Sequence, residues 1–79
     1  MTEAVIHYVC RPHGDIWKIM RNDRLICYLN DAERAEHLLL SYAENARAAG
    51  KAVHVQVHDH LGRIVLEKQF ATPAALSDP

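Results

Sequence analysis

The sequence is poor in the residues that mark several functional classes. Its two cysteines, Cys10 and Cys27, form no CxxC pair and have no Cys–His zinc spacing, so we predict free thiols rather than a disulfide scaffold or a zinc finger. No apolar run approaches the roughly 20 residues that cross a bilayer. The first residues lack the basic and apolar segments of a signal peptide, so we expect a cytoplasmic protein without membrane contact.

Basic residues are also not in excess. Nine Lys and Arg stand against ten Asp and Glu, which argues against nucleic acid as a partner, because phosphate contacts supply most of that affinity. The one local concentration of positive charge is Arg11, Lys18, Arg21 and Arg24, near Trp17, whose ring could stack on a base. A nucleic-acid-binding module using these residues is therefore an alternative. The competing interpretation is a solvated charged hairpin beside a core tryptophan.

The chain has the size and composition of one small domain. Its 79 residues are 49% hydrophobic and 24% charged, which is typical of an ordinary folded, soluble domain. We expect this domain to span residues 1–70. Residues 71–79 show no periodicity and hold two of the three prolines, so we expect them to form a flexible C-terminal tail.

Five segments have the composition of β-strands. The predicted strands span residues 4–10, 16–20, 25–29, 52–58 and 63–70. Residues 11–15 and 21–24 are predicted turns, because they contain Pro, Gly, Asn and Asp. In the fourth strand the valines alternate with polar residues and are assigned to the core. In the fifth strand the residues assigned to one face are Ile64, Leu66 and Phe70.

One helix is predicted over residues 30–51. Asn30 is its predicted N-cap, Glu33 completes a capping box, and Gly50 ends the helix as a C-terminal cap. Its apolar stripe, spaced by three and four residues, consists of Ala35, Leu38, Leu39, Tyr42, Ala46 and Ala49. One such helix covers one face of one sheet, so the order β-β-β-α-β-β predicts an α+β fold with a mostly antiparallel sheet.

The first three predicted strands have apolar residues at both odd and even positions, and therefore on both faces, which is typical of strands buried on both sides. A single helix covers only one face. We therefore predict that the uncovered face meets another protein, with a second copy of the chain, in a homodimer, as the expected partner. The alternative is a small sheet with a few exposed apolar side chains. The leading hypothesis is a binding or regulatory module that acts through protein–protein contact.

Several of these segments together match the pattern of a known domain family. They are an opening strand at residues 7–9, a glycine turn at 13–15, Trp17 in the next strand, an alanine-rich helix ending at Gly50, and VQVHDHLGRI at 55–64. In these features the chain resembles DUF2188, a small bacterial domain family of unknown function, over residues 6–70. The resemblance implies the fold and a small bacterial cytoplasmic protein, and it implies no chemistry.

Three histidines lie close together in the sequence: His54, His58 and His60. The first two share a strand face, but they start about 13 Å apart along the strand, whereas metal ligands must lie about 2 Å from the ion. His60 falls in a predicted turn. His7 can join them only if the first and fourth strands pair in a register that the sequence does not specify. We expect no metal or other cofactor, with these three histidines as the candidate ligands if a metal is bound.

No arrangement in the sequence indicates catalysis. Ser41 lies in the predicted helix and Ser77 in the predicted tail, so neither has the context of a nucleophile elbow. The glycines at positions 14, 50 and 62 are scattered and form no phosphate-binding loop. We therefore expect the protein not to be an enzyme.

Overall fold

The computed structural model describes residues 5–70, so the predicted tail at 71–79 lies outside the described residues. The elements are β1 (Val5–His13), β2 (Ile16–Arg21), β3 (Arg24–Leu29), α1 (Ala32–Ala48), β4 (Ala52–His58) and β5 (Ile64–Phe70). This order confirms the predicted β-β-β-α-β-β arrangement and the α+β class. In the part of the chain that is described, no helix is long and apolar enough to cross a membrane.

The five strands form a single sheet in the order β3-β2-β1-β4-β5. Neighbouring pairs are antiparallel except β1 and β4, which run parallel. Antiparallel neighbours can be joined by tight turns, whereas the step from β3 to β4 needs a long crossover, which α1 provides. The sheet is therefore mostly antiparallel, as predicted, and its one parallel pair lies next to its centre.

Turn chemistry explains how the first three strands are joined. Asn22 and Asp23 both have left-handed backbone angles, with φ of 49° and 69°, which a tight hairpin between right-twisted strands requires. The predicted turn over 11–15 is shorter than expected, because β1 continues through Pro12. The β1–β4 pairing ends at Cys10. Pro12 lies beyond it, so the N–H that proline lacks is not needed for a hydrogen bond to β4.

The N-cap of the helix lies one residue later than predicted. Asp31, not Asn30, is the N-cap, and its carboxylate accepts a hydrogen bond of 3.1 Å from the backbone N–H of Glu33. The prediction of Asn30 was wrong because Asn and Asp cap helices about equally well. The predicted stop was correct, since Gly50 has a φ of 87° and donates from its N–H to the carbonyl oxygen of Arg47.

The core lies between α1 and one face of the sheet. The buried residues are Ile6, Tyr8, Cys10, Ile19, Ala35, Leu39, Ala43, Val53, Val55 and Val57. The assignment of the strand-four valines to the core is therefore confirmed. The helix stripe is centred on Ala35, Leu39 and Ala43, which are four residues apart, while Ala49 follows the end of the helix and is exposed.

Two further expectations concern the core face. Ile64 was wrongly predicted to share a face with Leu66 and Phe70, because the register shifts at the start of β5 and pairs Ile64 with His58 on the other face. Both cysteines are free, as predicted. Cys10 and Cys27 each pair with Ile19 of the intervening strand β2, so they are not on adjacent strands. Burial raises the pKa of the Cys10 thiol to about 11, so this group is an uncharged core residue.

Candidate functional site

The sheet has an open face, which we define as the side away from α1. Side chains alternate between the two faces along each strand, so the residues between the buried ones point to the open face. They include Val5, His7 and Val9 of β1, Lys18 and Met20 of β2, Leu25 and Tyr28 of β3, His54, Gln56 and His58 of β4, and Ile64 and Glu67 of β5. Apolar, histidine and charged side chains are therefore mixed on this face.

Two histidines meet on the open face, level with the turn between β2 and β3, where Asn22 bonds to the backbone of His7. The parallel pairing of β1 with β4 places His7 directly beside His54. Their Nδ1 atoms lie 3.2 Å apart, and their rings are almost perpendicular, at 89°, with centroids 5.3 Å apart. This is the register under which His7 could join the histidines of β4, and the sequence did not specify it.

Glu67 of β5 holds the second ring nitrogen of His54. Its Oε2 lies 2.7 Å from Nε2 of His54 and also accepts a hydrogen bond of 3.0 Å from Nε2 of Gln56. The hydrogen bonds from Gln56 and His54 hold the pKa of the Glu67 carboxyl below its ordinary value of 4.5. An ionised carboxylate can only accept, so Nε2 of His54 carries a proton.

The other donors and acceptors follow from that assignment. The amide of Gln56 donates to Glu67, so its Oε1 faces Nε2 of His58, 3.2 Å away, and accepts from it. A neutral His54 with its proton on Nε2 has its lone pair on Nδ1, which accepts from Nδ1 of His7 at 3.2 Å. We call His7, His54, Glu67, Gln56 and His58 the histidine–glutamate network.

The three histidines singled out by the sequence do not converge on one point. His54 and His58 are linked only indirectly, through Gln56 and Glu67. His60 lies in the β4–β5 loop, where its ring contacts Trp17 with centroids 5.4 Å apart. Among residues 5–70, no group of three or more His, Cys, Asp or Glu side chains is placed to hold a metal ion.

The residues of the nucleic-acid alternative are divided between the two faces of the sheet. Trp17 packs against the core cluster on the face that α1 covers. Lys18 and its cross-strand partner Arg11 lie on the opposite face. Arg21 and Arg24 pair with each other at the far end of the β2–β3 hairpin. Arg21 and Arg24 have the parity of Trp17 but lie four residues further along the hairpin, at the turn, so the structure does not bring all four basic side chains onto the surface that holds the tryptophan ring.

Asp59 organises the loop between β4 and β5. Its Oδ1 accepts hydrogen bonds of 2.9 Å from the backbone N–H groups of Leu61 and Arg63, and its Oδ2 pairs with Nε of Arg63 at 2.9 Å. These hydrogen bonds, chiefly that from the Arg63 backbone, hold the pKa of Asp59 below its ordinary value of 3.8. The carboxylate therefore acts within its own loop and is not available to orient His58 or His60.

This geometry predicts an acid-sensitive loop. A carboxyl whose pKa is lowered by folding stabilises the folded state above its unfolded pKa, and that stabilisation is lost as pH falls through the lower, folded value. At pH 7 we expect Asp59→Asn to melt at a lower temperature than the wild type, and the difference to close as pH falls below 3.8. Thermal unfolding followed by circular dichroism at several pH values measures this difference in melting temperature. A difference that stays constant with pH would show that ionisation of Asp59 has no part in it.

The pair of His54 and Glu67 has the form of a general base held by a carboxylate. A nucleophile or bound substrate must lie beside such a base for it to act. The ring nitrogen of His54 that Glu67 leaves free faces His7. Ser41, the one serine within residues 5–70, is on α1, on the other side of the sheet. Both ring nitrogens of His54 therefore contact other members of the network, and neither contacts a serine hydroxyl.

Sequence reasoning missed Glu67 and Gln56 as members of the site. Their outward parity was readable, because each alternates with a residue that packs on the core. What the sequence lacks is the strand order, which makes β1, β4 and β5 neighbours and fixes which outward residues meet. No family model, no curated protein and no solved structure matches the chain, so the resemblance to DUF2188 stays a prediction.

Proposed function

We propose that the protein is a small, non-catalytic binding module that self-associates through the open face of its sheet. The observation that carries this proposal is the apolar surface on that face. Val5, Leu25, Tyr28 and Ile64 are each between 42% and 48% exposed, and all four lie on the side that α1 does not cover. Several large, exposed apolar side chains on one uncovered face are typical of a protein-binding surface.

The polar groups of the open face are compatible with burial. The histidine–glutamate network satisfies part of its hydrogen-bonding capacity internally, since Gln56 contacts both Glu67 and His58 and both ring nitrogens of His54 have partners within the network. Burying a polar group is costly chiefly when it loses its hydrogen-bond partner. A partner that covers this network therefore has to supply polar contacts chiefly for the groups that the network leaves over, such as Oε1 of Glu67.

The distribution of charge favours a second copy as that partner. A two-fold axis parallel to the strands, between β1 and β4, places β2 of each copy over β5 of the other. It leaves β3, with Leu25 and Tyr28, at the margin of the contact, beyond the partner's β5. Lys18 on β2 then approaches Glu67 on the partner's β5, and the reciprocal contact forms by symmetry. Isologous interfaces of this kind are the commonest in soluble oligomers, and opposite charges that face each other fix their register.

The size of the face sets the strength of the contact. Four strands of each copy overlap, and at about 4.8 Å between strands and six residues of about 3.3 Å each they give a shared face of roughly 19 by 20 Å. Two such faces bury on the order of 800 Å², which is in the range of weak, transient contacts. We therefore expect a reversible dimer with a dissociation constant in the micromolar range rather than an obligate one.

Sedimentation equilibrium in a buffer containing a chelator tests the proposal. We expect the wild type to dimerise reversibly and Val9→Lys to weaken dimerisation at least about tenfold, because the substitution buries like charges near the axis. Ser41→Lys is the matched control, since Ser41 is exposed on α1, and should leave the dissociation constant unchanged. Circular dichroism confirms that both variants fold. A wild type that remains monomeric at millimolar concentration overturns the proposal.

A further inference from the structure

We propose that His7 and His54 bind a divalent transition-metal ion, such as Zn²⁺, through their two Nδ1 atoms. The distance between these atoms is 3.2 Å. Two nitrogen ligands at about 2.0–2.1 Å from a tetrahedral zinc ion lie about 3.3 Å from each other. The pair is therefore already spaced as two adjacent ligands of one ion, although it is not the histidine pair that the sequence suggested.

Glu67 prepares His54 for this role. A histidine that binds a metal through one nitrogen usually donates its other N–H to a carboxylate or carbonyl, which fixes the tautomer and the direction of the ring. Here Nε2 of His54 donates to Oε2 of Glu67 at 2.7 Å. That contact leaves the lone pair of His54 on Nδ1, which is the nitrogen that faces His7.

The ion would take the place of a proton. In the absence of metal, Nδ1 of His7 donates its proton to the lone pair on Nδ1 of His54. Metal binding requires a lone pair on both nitrogens, so a neutral His7 moves its proton to its own Nε2, whereas a doubly protonated His7 keeps the proton on Nε2 and releases the one on Nδ1 to solvent. Neither ring has to change its place in the sheet, because the β1–β4 register already sets both.

One chain supplies only part of a coordination shell. Two imidazoles occupy half of a tetrahedral site, and no third ligand side chain is grouped with them within residues 5–70. The completion of the site rests on the proposed function: the two-fold axis between β1 and β4 brings the same pair of a second copy to the opposite side of the ion. Nδ1 is the ring nitrogen nearer the backbone, so an ion bound there lies only a few ångströms above its own sheet. Two packed sheets lie about 10 Å apart, so the ion can sit midway between the two copies.

The test titrates the metal-free protein with ZnCl₂ by calorimetry and with CoCl₂ by absorption, and repeats the sedimentation measurement with zinc. We expect one ion for each two chains, the visible bands of tetrahedral cobalt, and dimerisation at least about tenfold tighter with zinc than with chelator. His7→Ala and His54→Ala should abolish binding, and Glu67→Gln should weaken it about 10- to 100-fold. His37→Ala, an exposed histidine on α1, is the matched control and should bind as the wild type does.

The outcomes separate this inference from the function on which it rests. Absence of zinc binding, or binding that survives both His7→Ala and His54→Ala, overturns the metal site, and dimerisation in chelator would then still support the proposed function. Binding of one ion per monomer that depends on both histidines supports the ligand pair and overturns its completion by a second copy. Circular dichroism of each variant shows that loss of binding does not result from loss of fold.

Discussion

Leu39→Ala is expected to lower the free energy of unfolding by about 2–5 kcal/mol. Leu39 is fully buried at the centre of the helix stripe, so its removal leaves a cavity between α1 and the sheet that rigid strands cannot close. A chain of this length has a total stability on the order of 4–12 kcal/mol. The loss is therefore a large fraction of the total, and urea unfolding followed by circular dichroism should show it as a much lower midpoint.

Leu61→Ala provides the matched control. Leu61 is 75% exposed in the β4–β5 loop, so the same change of side chain removes little buried surface there. Its unfolding free energy should stay within about 0.5 kcal/mol of the wild type. Equal losses for the two variants would mean that Leu39 is not the centre of the core.

Ala43→Leu is expected to destabilise the protein because it adds side-chain volume to the core, whereas Leu39→Ala removes it. Ala43 is fully buried one helical turn after Leu39, where a small side chain lets α1 lie close to the sheet. Three added carbon atoms must displace α1 or force strained rotamers, which costs about 1–3 kcal/mol. Urea unfolding should show a lower midpoint with a similar slope, because the folded state stays compact.

The control for that substitution is Ala48→Leu. Ala48 is the last residue of α1 and is exposed, and alanine and leucine have similar helix propensities, so stability should change little. The double variant Leu39→Ala, Ala43→Leu should lose less than the sum of its single changes, since the added leucine partly fills the space that Leu39 vacates. Strict additivity would show that the two positions do not share one region of the core.

Much of the fold is local enough to predict from the sequence. The alternation of Val53, Val55 and Val57 identifies the buried face of β4 without any knowledge of its neighbours. Asn22 and Asp23 identify a hairpin because few other residues accept left-handed backbone angles. These features depend on the chain within a few residues of each position, and the structure confirms them.

The parts that could not be predicted depend on residues distant in the chain. The meeting of His7 with His54 requires β1 and β4 to be parallel neighbours, and a sequence does not state which strands pair. Ile64 was assigned to the wrong face because a register shift beside His58 interrupts the alternation. Prediction of the site therefore failed where strand pairing, rather than residue character, decides which side chains meet.

The position of β1 in the sheet also has a kinetic consequence. One neighbour, β2, is joined to it by a tight turn, whereas the other, β4, is 47 residues away at the level of the two histidines. Closing that long loop costs conformational entropy before any contact compensates for it, so we expect the parallel pair to limit the folding rate. During synthesis, the meander of β1, β2 and β3 forms first and keeps one edge of β1 unpaired until α1 and β4 have followed.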